Sequence, residues 1–292
     1  MSKAIITLEE FWEQENQQIK EAGSISFIAR ALVRATMPHR DSGDHIYTRQ
    51  NGNFKLSMMS SEGLPYGALA RILMIFFTTE AVKTSSRTIF LGDNMSEFMG
   101  RLGLVPTGGR WGSITRLRNQ MGRLLGCAIT CKYEDDEKRL FRNVVPIEAA
   151  DEFWWKPVEN PNQRQLFEAS ITLSQKFFEE ISERPIPLDM SALREFSHSP
   201  MDIDFYCWLT HKNSYSTRSY PIPWEALQLQ FGAGYPMTPQ GKRNFKKKLI
   251  NSMVRVAAIY PEALKLQTGE NHLLYVPGKP HVPQKLITSA SG

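Results

Sequence analysis

Arg243, Asn244, Lys247 and Asn251 recur at helical spacing, and Arg116, Asn119 and Arg123 do the same in the first half of the chain. Side chains of these types suit one kind of chemistry. Arginine forks onto guanine or phosphate, asparagine and glutamine bond the adenine edge, and lysine neutralises phosphate as a point charge. The surroundings of both sets point the same way. Arg101 to Tyr133 holds Arg101, Arg110, Arg116, Arg118, Arg123 and Lys132 with no acid, and Ala226 to Pro261 holds Lys242, Arg243, Lys246, Lys247, Lys248 and Arg255 with no acid. These twelve positive charges compare with a net charge of +5 for all 292 residues, so the rest of the chain is net acidic. Charge concentrated in this way implies a polyanionic partner.

The elements that must position these residues follow from periodicity. At about 100° per residue, Trp111, Ile114, Leu117, Met121, Leu124 and Leu125 form one stripe of a helix predicted over Trp111 to Leu125, with Gly112, Arg116, Asn119, Gln120 and Arg123 opposite. A second helix is predicted from Thr238, as N-cap, with Pro239 at the first helical position. Phe245, Leu249, Met253, Val256 and Tyr260 form its apolar stripe. Gln240, Arg243, Asn244, Lys247 and Asn251 lie opposite, with Lys242, Lys246, Lys248 and Arg255 on the flanks. Like charges at Lys242/Lys246 and Arg243/Lys247 repel at i,i+4, by a few tenths of a kcal/mol per pair, and a phosphate backbone would relieve them.

Each basic helix follows a shorter helix and a glycine turn. Asn94–Leu102, with Asp93 or Asn94 as cap, precedes Pro106-Thr107-Gly108-Gly109, and Trp224 to about Gly232 precedes Gly232-Ala233-Gly234-Tyr235-Pro236. Each is followed by a predicted hairpin that would serve as a wing, Cys127–Tyr133 with Leu140–Ile147 and Ala263–Gln267 with His272–Val276. His272, Lys279 and His281 are candidate contacts of the second wing, whereas the acidic tip Glu134 to Glu137 argues against a DNA contact by the first. Upstream lie a strand at Phe54–Met59, a helix from Tyr66 to about Val82 and a strand at Arg87–Leu91, after a polar, turn-rich stretch from His39 to Asn53. Thr7 to Ala22 reads as an amphipathic helix, and Lys156 to Asn162 as a proline-bearing linker.

Other chemistry finds little support. Gly241-Lys242-Arg243 lacks the first glycine and the hydroxyl of a phosphate loop, no His-Glu-x-x-His occurs, and the six histidines are scattered. Cys127, Cys131 and Cys207 form neither a disulfide framework nor a paired zinc knuckle. No apolar run reaches the length of a membrane span, and Leu69 to Phe77 is interrupted by Arg71. We therefore expect no enzyme, no metal, no cofactor and a reducing, cytoplasmic location.

Several blocks resemble a known family. They are Gly63-Leu64-Pro65-Tyr66-Gly67 to Arg71, Thr78-Thr79-Glu80-Ala81-Val82, Leu91-Gly92-Asp93, and Pro106-Thr107-Gly108-Gly109-Arg110-Trp111-Gly112-Ser113-Ile114. In the second half they are Arg184-Pro185-Ile186-Pro187-Leu188-Asp189, Ser199-Pro200-Met201-Asp202 and Ile222-Pro223-Trp224. Together they look like plasmid replication initiators of the RepA C-terminal-domain type, related to TrfA. The resemblance implies two winged-helix domains that bind repeated origin sites (iterons) on double-stranded DNA, help open an adjacent AT-rich segment, and bring in host initiation proteins and the replicative helicase. It also implies binding of the repeats as a monomer and repression of the protein's own gene as a homodimer. On this resemblance the first recognition helix includes Arg110, Ser113, Arg116, Arg118, Asn119 and Arg123, and the second Arg243, Asn244, Lys247 and Asn251.

The expected fold is α+β, with two tandem winged-helix domains and an N-terminal helical arm. Its divisions are an arm at 1–24, a first domain at 25–156, a linker at 157–162, a second domain at 163–283 and a tail at 284–292. The expected function is a sequence-specific plasmid replication initiator, and the alternative is a winged-helix transcriptional repressor without initiator activity. Gln163-x-x-Leu166-Phe167 also resembles a sliding-clamp peptide, with core packing as the competing reading.

Overall fold

The computed structural model describes Thr7 and residues 36–134, 139–144, 146–151, 169–183, 188–232 and 234–282. The amphipathic segment Thr7–Ala22 (Thr7 apart), the proline-bearing linker and Gln163–Phe167 lie outside the described residues. What is described is a mixed α/β architecture of small antiparallel sheets and helices.

The first half runs β1 (Ile46–Asn51), β2 (Phe54–Ser60), α1 (Gly67–Thr84), β3 (Thr88–Gly92), α2 (Met95–Arg101), α3 (Ser113–Leu125), β4 (Cys127–Glu134), β5 (Arg139–Val144) and β6 (Ile147–Asp151). Next come β7 (Ala169–Leu173), α4 (Gln175–Glu183), α5 (Met190–Glu195), α6 (Pro200–Tyr215), β8 (Tyr220–Pro223), α7 (Trp224–Phe231) and α8 (Pro239–Ala257). A 3-10 turn at Pro261–Lys265 precedes β9 (Gln267–Thr268) and β10 (His272–Tyr275). Local signals set many of these starts. The Asn94 side chain accepts from Glu97 N at α2, Ser199 caps α6, and Thr238 accepts from Gly241 N at α8.

Three sheets form, in the orders β1-β2-β4-β5, β3-β7-β6 and β8-β10-β9. The last two share a pattern: in each, the strand arriving last in the chain lies between the other two. Each first strand also precedes a short helix, a turn and a basic helix. Two expectations are corrected here. The hairpin β4–β5, expected as the first wing, pairs through β4 with β2 (Leu56 opposite Cys131) and joins the four-stranded sheet, not β3. The partners of β3 and β6 come instead from β7, with Thr88 opposite Thr172. One sheet therefore takes strands from both sides of the expected linker at 157–162, and α4 packs on α1. The stretch His39–Asn53, read as turns, contains β1, which pairs along its whole length with β2. It escapes a periodicity search because its one aliphatic residue, Ile46, is exposed.

The halves are joined through buried polar contacts. Arg71, buried on α1, donates to the Met37 and Pro38 carbonyls and pairs with Asp204 of α6. His39 reaches the same carboxylate at 2.8 Å. Arg49 of β1 donates to the Gln228 and Leu229 carbonyls, and Thr36 donates to Gln230 O. The Leu229 and Gln230 carbonyls lie in the last turn of α7, where intrahelical donors run out, while Gln228 O also accepts from Gly232 N at 2.8 Å.

α6 is gripped on a second side. Its Asp202 carboxylate, also buried, takes two hydrogen bonds from Arg255 of α8, both 2.6 Å, and one from the Ser252 hydroxyl. Lower down α6, the buried Lys212 ammonium lies among Trp208, Tyr215, Tyr220 and Tyr275, 4.9–5.8 Å from their ring centroids.

Candidate nucleic-acid interface

α3 is built onto a fixed turn. Ser113 N donates to Thr107 Oγ1 and Thr107 N donates to Ser113 Oγ, each at 2.8 Å, while the Ser113 hydroxyl donates to Val105 O at 2.7 Å. Thr115 Oγ1 reaches back to Gly109 O, and Gly109 has φ +85°. Gly112, the N-cap, has no room for a Cβ, because the Thr107 and Gly108 carbonyls occupy that space. Ser113, a residue the resemblance assigns to DNA contact, is thus buried and its hydroxyl is engaged in the turn.

Helix α3 begins two residues later than expected, and this moves Trp111. Placed on the buried stripe by periodicity, the indole is 81% exposed, with the Arg110 guanidinium 5.1 Å from its ring centroid. Leu117, Met121 and Leu124 are buried as expected. Gln120, expected outward, is buried and its side-chain oxygen accepts from Tyr66 N. Arg116 and Asn119 are exposed, and Arg118 is half-buried.

Freedom from acid along the sequence does not survive folding. Among the twelve basic residues, Arg101 pairs with Glu80, Arg123 with Asp41, Lys132 with Glu134, Lys242 with Glu225 and Arg255 with Asp202. Arg123 also donates to Leu64 O and lies over the Tyr66 ring, which fixes it against the body of the protein. The Arg123 hydrogen bond holds the Asp41 carboxyl below its ordinary pKa. Asp202 acts on Arg255 in the opposite sense and raises it.

On α8 the buried stripe is Phe245, Leu249, Met253 and Val256, with Gly241 and Ser252 buried beside it. Gly241 is needed because the Pro236 carbonyl sits where a Cβ would be, which brings the preceding turn tightly onto the helix. Arg243, Asn244, Lys247, Lys248 and Asn251 are exposed. Gln240 links two of them: it accepts from Arg243 at 2.9 Å and donates to Asn244 Oδ1 at 2.8 Å. Neither α3 nor α8 carries an acid in its first turn, so the positive end of each helix dipole is uncompensated there.

Lys246 has another task. Its ammonium donates to Gly269 O and Glu270 O, both at 2.9 Å, and lies 4.7 Å from the Trp224 ring centroid. It therefore pins the β9–β10 turn to α8 and α7. Trp224 reinforces this by donating to Gly269 O through its indole N–H. His281, a candidate contact of the second wing, stacks on Tyr260 at 4.8 Å and is hydrogen-bonded to the Tyr206 hydroxyl. It closes the core rather than reaching outward. His272 is half-buried and Lys279 exposed.

Cys127 and Cys131 are buried, and burial pushes the Cys127 thiol up to about 12, so it behaves as a small apolar side chain. No helix among the described residues is long and apolar enough to cross a membrane.

The family model described as "Plasmid encoded RepA protein" matches residues 64–225. That span runs from the loop before α1 through Glu225 and contains all of α3. Two solved structures share the fold. The crystal structure of RctB domains 2–3 has a TM-score of 0.51 at 13% identity, covering 79% of this chain and 82% of that one. Selenomethionine derivatives of domain 2 and domain 3 of RctB give 0.52 at 12% identity, covering 82% and 84%. No curated protein matches the chain.

Proposed function

The chain belongs to the family of plasmid-encoded RepA proteins, a family of plasmid replication initiators, and from that premise we propose that it binds repeated origin sites on double-stranded DNA and promotes opening of the adjacent segment. The observation that carries this reading is the exposed strip on α8, in which Gln240 holds Arg243 and Asn244 in register beside Lys247, Lys248 and Asn251. A planar guanidinium and an amide on one helix face, flanked by ammonium groups, suit base reading with phosphate neutralised at the sides.

In this reading α6, β8, α7, α8, β9 and β10 form a winged helix, with α8 as recognition helix and the Lys246-anchored turn as wing. The first half forms a second unit of the same plan from α1, β3, α2, α3, β6 and β7. Its boundary then falls after α4, and β4–β5 is an added hairpin. Arg110, Arg116 and Asn119 are the contacts of α3, and Arg243, Asn244, Lys247, Lys248 and Asn251 those of α8. Lys242, Lys246, Arg123 and Arg255 act by shaping the surface, as does Ser113. Host initiation proteins and a replicative helicase would be recruited to the opened segment, and a homodimer would repress the gene.

Footprinting on the DNA flanking the gene, with permanganate to detect unpaired thymines, tests the proposal. Protected direct repeats with reactive thymines beside them are expected. One protected palindrome without reactive thymines would instead mean a repressor.

A further inference from the structure

The turn before α3 presents apolar surface that folding would normally hide. Trp111 is 81% exposed and Val105 78% exposed, though both lie in a segment that the structure holds firmly. Seven hydrogen bonds among Val105, Thr107, Gly109, Gly112, Ser113, Ile114 and Thr115 fix the backbone on either side of the indole. The exposure therefore does not come from a slack loop. Gly108 and Gly109 bring no side chain to the turn that could cover the ring.

The chemistry around the indole selects among occupants. The Arg110 guanidinium lies over one face of the ring, which leaves the other open to solvent at this degree of exposure. Arg116 is exposed on the next turn of α3, and no acid occurs between Arg101 and Tyr133. An aromatic face with one guanidinium stacked on it, at a helix start without an acid, fits a flat ring that carries a phosphate. An apolar protein surface would be served equally well by Val105 and Trp111, but not by the unrelieved charge.

We propose that Trp111 and Arg110 form a stacking platform for a nucleobase that has left the helical stack, held beside the duplex that α3 contacts. The proposal rests on the DNA-binding reading above and deepens it. Stacking would favour the opened state over the paired one, because a paired base offers no free face to the indole.

The test uses the full chain, with Trp111→Ala and Trp111→Phe, on oligonucleotides carrying 2-aminopurine. One set is fully paired and another has the probe base unpaired within a duplex. The wild type should quench the unpaired probe, and Trp111→Ala should abolish quenching and weaken that complex about 5- to 150-fold, with Trp111→Phe between them. Affinity for the fully paired duplex should change little. Equal affinity of wild type and Trp111→Ala for the unpaired probe would overturn the platform, as would equal losses on paired and unpaired DNA. A change in sedimentation on Trp111→Ala without any DNA effect would overturn it in favour of contact with a second copy. If the wild type bound no paired duplex, the DNA-binding reading itself would fail, which is a distinct result.

Discussion

Arg71 Nε lies 2.6 Å from Asp204 Oδ1 across 133 residues of sequence, and this pair ties α1 to α6. Nη2 of the same guanidinium reaches Asp204 Oδ2 at 2.8 Å, so the contact is two-pronged. Arg71 is buried and Asp204 is largely covered, and both are further satisfied, Arg71 by three backbone carbonyls and Asp204 by His39. Removing one partner leaves an uncompensated charge in the interior. Arg71→Ala should lower the unfolding free energy by about 3–5 kcal/mol in denaturant titration.

Acid should loosen the same joint in two steps. Burial lowers the pKa of His39 below its ordinary 6.5, against the pull of Asp204. Burial alone would raise Asp204, but the Arg71 charge and the hydrogen bonds from His39 and Arg71 outweigh it and hold the carboxyl below its ordinary 3.8. In both cases the unfolded chain takes up the proton first, so stability is lost as pH falls. The thermal midpoint should drop as pH falls below 6.5 through His39, and again below 3.8 through Asp204. His39→Gln, which can still donate to Asp204, should remove the first step and keep the second.

Arg255 and Lys248 should separate structure from binding. Arg255 donates twice to Asp202, whereas Lys248 is exposed on the same helix. Arg255→Ala should cost about 3 kcal/mol of stability because it strips a buried carboxylate of its cation. Lys248→Ala should leave the melting curve unchanged and weaken specific and random duplex alike, reducing the salt slope by about 1.

The salt response should be moderate. Arg110, Arg116, Arg243, Lys247 and Lys248 are exposed and, among the described residues, have no carboxylate partner. With about five phosphates neutralised, log affinity should fall with log salt at a slope near −4.5, or about 500-fold between 50 and 200 mM. A slope near −10 in the same titration would mean that the paired residues leave their carboxylates for DNA.

Base preference should rest on the Gln240-linked strip. Arg243→Ala or Asn244→Ala should cost about 1–3 kcal/mol on the specific site and relax preference at one base pair, read by selection from a randomised duplex. Lys246→Ala should act differently. By freeing the Gly269 and Glu270 carbonyls it should speed proteolysis at the β9–β10 turn and weaken every duplex to a similar degree.

Much of the local structure was legible in the residues themselves. Asn94, Thr238 and Pro239 carry helix starts that depend on neighbours three or four positions away, and the apolar stripe of α8 follows from spacing alone. What depends on distant partners was not legible. The pairing of β3 with β7 joins residues some eighty positions apart, and a proline-bearing stretch between them resembles a boundary. Arg101, Arg123, Lys242 and Arg255 stand in runs without acid, yet Glu80, Asp41, Glu225 and Asp202 arrive from other elements to neutralise them. Trp111 continues the apolar stripe in sequence, yet α3 begins two residues after it, which leaves the indole in the turn. Gln120 turns inward because its partner, Tyr66 N, arrives from 54 positions away.

The two carboxylates of α6 have a mechanical consequence. Asp202 and Asp204 stand about 200° apart around the helix axis, so one holds α8 while the other holds α1. A duplex engaged by both halves would then be gauged by a caliper whose jaws keep a set opening. Such a protein should forgive a changed base within its site more readily than a single base pair inserted between the two contacted segments.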